Sequence, residues 1–310
     1  MRGQRGEMSL TGLLVAMTLT LVVMASTLDV FSTSQTVSHD LQDRTEAEAR
    51  VRAVEDQIAR ELRSLASPTP DQPQAVDRAG QRDLVFKTVD PVRAASGTND
   101  ANVMRVRYCL DDSGQLWRMQ QRWTTSTTPA VPGGLTGYAD DPTCSAAGWD
   151  TATVVASAIV NATGTLRPVF TYNTTADVTS ITTVSVDLRV DLDAQRGPAE
   201  SRLTTSVFLR NQNRRPSAAF TYRATPSGLV LNGTPSSDPE AHPLTLCWYD
   251  QQAPNVASPP APCSAGPYIG NSLTFTYAVG WGTSHNIWLE VRDPALLSDR
   301  TATQSINNST

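Results

Sequence analysis

Ser236, Asp238 and His242 are the first side chains in this 310-residue sequence that could do chemistry. A hydroxyl, a carboxylate and an imidazole are the parts of an activated nucleophile. Their setting, Ser236-Ser237-Asp238-Pro239, argues for a turn instead, with the Asp accepting backbone N–H bonds. Asp111-Asp112-Ser113-Gly114 has the same character. Its two acids could suggest calcium, but EF-hand spacing is absent, and a hairpin turn ending in Gly accounts for the residues. The three histidines, His39, His242 and His285, are scattered, and no C-x-x-C occurs, so zinc spacing is missing too. There is no P-loop and no dinucleotide fingerprint. The expectation is a protein that is not an enzyme and uses no cofactor or metal.

The four cysteines, Cys109, Cys144, Cys247 and Cys263, allow three pairings. Cys109 with Cys144 and Cys247 with Cys263 each fall within one expected domain. Two local disulfides are therefore favoured, and they suit an oxidising location outside the cytoplasm. Trp248 and Trp288 fall at strand positions, where core packing explains them. Trp281 lies between Gly280 and Gly282 in a loop and is the candidate for surface contact. A net charge of −5 argues against a nucleic-acid partner. Arg214-Arg215 reads as a solvated hinge, and Lys87, the sole lysine, as a reflection of base composition.

The elements that carry these residues begin with an uncharged apolar run from Met8 to Leu28, after Arg2 and Arg5. A membrane-crossing helix needs roughly 20 apolar residues, so this run is long enough. The flanking charge predicts a single pass with the N-terminus inside and the bulk outside. The helix pattern continues without Pro or Gly to Ser67. Over its second half Val51, Val54, Ile58, Leu62 and Leu65 recur at spacings of three and four, an amphipathic stripe. Pro68 and Pro70 end it. At 1.5 Å per residue the whole helix would be of order 90 Å long. Residues 68–82 read as a loop, and strands are predicted over 83–89, 102–110, 115–122, 154–159, 169–172, 181–192 and 201–209. Residues 123–149 form a long Thr/Pro/Gly-rich connection that a Cys109–Cys144 bond would tie back. Asn211-Gln212-Asn213-Arg214-Arg215-Pro216 marks a boundary.

Glu7-Met8-Ser9-Leu10-Thr11-Gly12-Leu13-Leu14-Val15-Ala16-Met17, with the helix and β-rich sequence behind it, resembles the processing segment of a type IV pilin or minor pseudopilin. The resemblance implies an α+β fold, a long N-terminal helix packed on an antiparallel sheet. It implies a leader over 1–7, a helix over 8–67 embedded in the membrane over 8–28, and a pilin-like β domain over 68–211. Gly6, Glu7 and Met8 are the residues at which prepilin peptidase would act. Two positions depart from the family: Glu7 stands where the leader ends in Gly, and Gly12 where the mature chain has Glu. In the family that Glu neutralises the amine of a neighbouring subunit, because an unpaired charge in hydrocarbon is costly. Its absence points to a minor subunit. Two other readings stay open: an uncleaved single-pass anchor, and a signal peptide cut after Val23-Met24-Ala25.

Residues 212–310 resemble a PKD domain, an immunoglobulin-like β-sandwich. The match rests on Asn213-Arg214-Arg215-Pro216, on Asn232-Gly233-Thr234-Pro235-Ser236-Ser237-Asp238-Pro239-Glu240, on Leu244-Thr245-Leu246-Cys247-Trp248, and on Ile287-Trp288-Leu289-Glu290-Val291-Arg292-Asp293. It departs where the family's Gly-Asp-Gly turn gives way to Tyr249-Asp250-Gln251-Gln252 and a Pro-rich insertion. Together the resemblances imply a subunit of a type IV pilus or secretion-type filament, held in a bacterial cytoplasmic membrane before assembly. Its partners would be other pilin-like subunits, prepilin peptidase, inner-membrane lipid, and an extracellular polysaccharide or protein. The alternative is an uncleaved, tethered envelope protein whose PKD domain binds such a ligand.

Overall fold

The computed structural model describes residues 10–91, 102–123, 128–191 and 200–309. Gly6, Glu7 and Met8 lie outside the described residues. The chain divides into two compact units at Arg50/Val51. One helix, α1 (Leu10–Arg63), begins in the first unit and ends in the second.

In the first unit the helix is exposed over Gly12–Leu28, including Leu13, Leu14, Met17, Leu21 and Val22, and Phe31 beyond this run is exposed as well. Its hydroxyls do not need water. Thr18 bonds back to Leu14 O, Thr20 to Ala16 O, Ser26 to Val23 O and Thr27 to Val23 O. Such back-bonding keeps polar groups satisfied within the helix itself. The helix is long and apolar enough to cross a membrane.

In the second unit the predicted stripe is buried: Val51, Val54, Ile58, Leu62 and Leu65 are each at most 5% exposed. Burying an aliphatic side chain of this kind is worth roughly 1.5–3 kcal/mol. The helix ends at Arg63, several residues before Pro68, and so earlier than the prolines imply. Ser64 N bonds to both Arg60 O and Glu61 O, and Leu65 then bridges to Thr88. The Thr88 hydroxyl donates to Glu61 O and Ser64 O, a second bond for carbonyls that already accept from Ser64 N and Val89 N, and so it ties the helix end down.

The sheet beneath this end is an antiparallel meander of β1 (Val76–Ala79), β2 (Asp83–Val89), β3 (Val103–Leu110), β4 (Leu116–Arg122) and β5 (Thr151–Ala156), in that order. β1 corrects the reading of residues 68–82 as loop throughout, and β5 starts and ends three residues before the strand predicted there. The hairpin between β3 and β4 turns as expected. Asp111 Oδ1 accepts from Ser113 N and Gln115 N. Gly114 adopts φ 77°, and a Cβ there would meet Ile159 O at 2.6 Å, so only glycine fits.

A three-stranded sheet follows, β6 (Phe170–Tyr172), β7 (Thr183–Val190) and β8 (Ser201–Phe208). β7 alternates, with Val184, Val186, Leu188 and Val190 buried and Asp187 and Arg189 half-buried opposite them. It starts two residues later than predicted, because residues 178–180 form a 3₁₀ turn capped by Asp177.

Beyond Pro216 two antiparallel sheets share a core. One is β9 (Thr221–Thr225), β10 (Gly228–Asn232) and β13 (Thr274–Tyr277). The other is β11 (Thr245–Asp250), β12 (Tyr268–Gly270), β14 (Ser284–Arg292), β15 (Ser298–Arg300) and β16 (Gln304–Asn307). Leu229, Leu231, Trp248, Ile287, Leu289 and Val291 fill the space between them. Trp248 is fully buried and donates its indole N–H to Ser272 O. A Cβ on Gly233 would meet the end of the Leu246 side chain at 2.3 Å, so a larger residue there would have to displace Leu246 within the core.

Trp288 is not in that core. It faces the other side of its sheet, stacked on Tyr249 at 5.3 Å with the Arg300 guanidinium 4.4 Å above its ring. Strand alternation sends Ile287 and Leu289 inward and Trp288 outward. Nor is Arg214-Arg215 a solvated hinge. Arg214 pairs with Glu240 at 2.5 Å, and Arg215 with Asp177 at 3.0 Å and Ser298 O at 2.6 Å.

Candidate functional site

The two faces of the five-stranded sheet carry different chemistry. Toward α1, Leu84, Phe86, Val106, Tyr108, Leu110 and Leu116 are buried and mostly apolar. The opposite face alternates onto Asp83, Lys87, Arg105 and Arg107, all buried. Lys87 Nζ sits 2.6 Å from Asp77 Oδ1, and Arg105 Nε sits 2.8 Å from Asp77 Oδ2. Arg107 holds Asp83 in a two-point grip at 2.8 and 2.9 Å and reaches Asp141 at 2.9 Å. Burial pushes the Lys87 amine below its ordinary range, against the pull of Asp77.

The lid over Arg105 and Arg107 is the Thr/Pro/Gly-rich connection. Arg105 donates to Pro129 O, Arg107 donates to Ser145 O, and Ala79 N donates to Gly137 O. The Cys109–Cys144 disulfide fastens it, as expected of two cysteines in one domain, and Cys247–Cys263 pins the insertion after β11. Lys87 thus has a structural place that its rarity in the sequence did not reveal. The signal was there in β2 and β3, where Asp83 and Lys87, and Arg105 and Arg107, fall at even spacings on one face of largely apolar strands.

Trp281, the candidate contact residue, is 50% exposed. The loop that presents it is held in place: Gly282 N donates to Asn308 O, and Asn308 Nδ2 donates to Val279 O and Gly280 O. Close by in sequence, His285 Nδ1 lies 2.6 Å from Asp250 Oδ2, and Nε2 lies 2.9 Å from the Thr283 hydroxyl. Tyr277 OH donates to the same Asp250 oxygen at 3.1 Å. Burial, then the negative charge of Asp250, pushes that phenol up to about 12. A hydroxyl, an imidazole and a carboxylate in this order form a potential proton path. The Thr283 hydrogen, however, is directed to Gly280 O at 2.5 Å. Sequence reasoning missed this group because Asp250 and His285 meet only through the pairing of β11 with β14.

Ser236, Asp238 and His242 do not assemble a nucleophile. The Ser236 hydroxyl donates to Ala219 O, while Asp238 Oδ1 accepts from the backbone N–H of Glu240 and of His242. The Asp238 turn is therefore as predicted. His242 Nδ1 stands 3.4 Å from Asp238 Oδ1. No family model matches this chain, and no curated protein matches it.

Proposed function

We propose that the chain is a minor pilin-like subunit, anchored in a membrane before assembly and displaying its C-terminal module outside the cell. One observation carries the reading. A single helix is apolar and bare over Gly12–Leu28, yet ends with a stripe buried against a sheet. A helix that is greasy all round requires lipid or other such helices as its surroundings. Its second half fixes that requirement to a folded, disulfide-bonded body. On this reading residues 68–211 form the pilin-like β domain, and residues 212–310 a PKD-type, immunoglobulin-like sandwich serving adhesion or interaction rather than catalysis.

Gly12 favours a second reading. With no carboxylate at the position where the family pairs a neighbour's amine, the helix would serve as an uncleaved anchor for a module that binds polysaccharide or an envelope protein. The N-terminal residue of the mature protein from native cells, with its methylation state, separates the two. A methylated Met8 or Glu7, with recovery in sheared filaments, supports the subunit. An intact Met1 confined to washed envelopes supports the tether and overturns the subunit. A start at Ser26 overturns both.

A further inference from the structure

The turn after β10 brings three metal-ligating side chains together. Asp238, Glu240 and His242 each offer a donor atom, and these atoms lie within 4.8 Å of one another. The Asp238 carboxylate is 1% exposed. Its Oδ1 is occupied by two turn N–H groups, but its Oδ2 is buried without a hydrogen-bond partner. Buried polar atoms in folded proteins almost always have a partner, so this oxygen points to a missing one. Asp238 and His242 both line a cleft of about 380 Å³ that Leu246 and Leu273 also border.

The spacing is informative as well. His242 Nδ1 is 3.4 Å from Asp238 Oδ1, longer than the 2.7–2.9 Å or so of a charge-assisted hydrogen bond. The imidazole thus stands beside the carboxylate without closing a hydrogen bond on it, which leaves its nitrogen for an ion that the orphaned Oδ2 would also hold. Arg214 already holds Glu240, with Nε on Oε1 at 2.5 Å and its backbone N on Oε2 at 3.2 Å. A carboxylate has about four lone-pair sites, so Glu240 can keep Arg214 and still offer one to an ion.

We propose that Asp238, Glu240 and His242 bind one divalent ion of the zinc class, leaving a coordination position for water. The imidazole decides the class, because magnesium and calcium prefer all-oxygen sites whereas zinc takes nitrogen readily. This departs from the expectation of no metal, which rested on the histidines being scattered. One histidine suffices when Asp-Pro-Glu-Ala-His turns its alternate residues to one place.

The test is equilibrium dialysis of the detergent-solubilised full chain, purified without a histidine tag, against Zn²⁺ alone. One ion per chain is expected. His242→Ala should weaken binding at least about tenfold, the loss that even an outer partner of a ligand produces. Asp238→Asn should do the same while its carboxamide oxygen keeps the turn, which a thermal melt verifies. Millimolar Ca²⁺ should not displace the ion, and His285→Ala should leave it bound. Absence of stoichiometric uptake, uptake indifferent to His242→Ala, loss of binding only in His285→Ala, or equal competition by Ca²⁺ would each overturn the proposal.

Discussion

Glu61, in the last turn of α1, places Oε1 2.5 Å from Nη2 of Arg118 on β4, and its Oε2 accepts the Tyr108 hydroxyl at 2.7 Å. The pair is about nine-tenths buried on both sides. It is the polar lock between the helix end and the sheet, set beside the aliphatic stripe.

Removing one partner of a buried ion pair leaves the other charge stranded, so Glu61→Ala should cost about 3 kcal/mol. Tyr108→Phe, which deletes only the hydroxyl, should cost about 1 kcal/mol. Chemical unfolding of the detergent-solubilised chain, followed by tryptophan fluorescence, measures both. Equal small losses would mean that the stripe alone holds the helix.

Lys87→Met should destabilise the chain by roughly 2–3 kcal/mol, because it strips Asp77 Oδ1 and Gln74 O of their donor while Arg105 stays on Asp77 Oδ2. Lys87→Arg should not rescue it, since the enclosed site fits a compact ammonium rather than a planar fork. Thermal melts of the two variants decide this.

Acid should weaken the lid. Burial alone would raise the Asp141 carboxyl, but bonds from Thr143 and Arg107 outweigh it and hold the group down at about 2. A carboxyl depressed in the folded state adds stability above its unfolded value, about 3.9, and that share disappears as pH falls toward 2. Stability measured from pH 5 to pH 2 should therefore decline, and Asp141→Asn should flatten the slope in this window.

Opening Cys109–Cys144, which closes a loop with a separation of 35 residues, should cost about 4 kcal/mol on the chain-entropy account. Hydrogen exchange in a Cys109→Ser/Cys144→Ser variant should rise first in residues 128–149. Protection that stays unchanged there would show that the arginine contacts hold the lid unaided.

Trp281→Ala should shift stability by less than about 0.5 kcal/mol, as expected of an exposed side chain. If the module binds polysaccharide through this loop, the same substitution should abolish retention on that polysaccharide. Retention that survives would remove Trp281 from the contact surface.

Local pattern made much of this architecture readable. The stripe from Val51 to Leu65 has helical spacing and one buried face. β7 alternates by twos, and Asp111 and Asp238 make the turns their chemistry dictates. What stayed hidden depends on long-range pairing. Lys87, Arg105 and Arg107 look solvent-facing by residue type, but Gln74 and Asp77 enclose Lys87 and the returning segment 128–149 meets Arg105 and Arg107. β1 is four residues held between β2 and Gly137, and its sequence, Val-Asp-Arg-Ala, has little strand character of its own. Asp250 and His285 become neighbours only when β11 and β14 pair.

The chain at Asn211-Gln212-Asn213 is stitched on both sides. Asn211 Nδ2 donates to Leu65 O, Gln212 Nε2 to Val178 O, and Asn213 Nδ2 to both Pro73 O and Asp293 Oδ2. A tensile pull on the C-terminal sandwich would thus not be absorbed by slack. It would pass through Asn213 and Asn211 to the segment just after α1, loading those short bonds in parallel before any strand has to peel. Traction on the sandwich thus becomes traction on the root of α1.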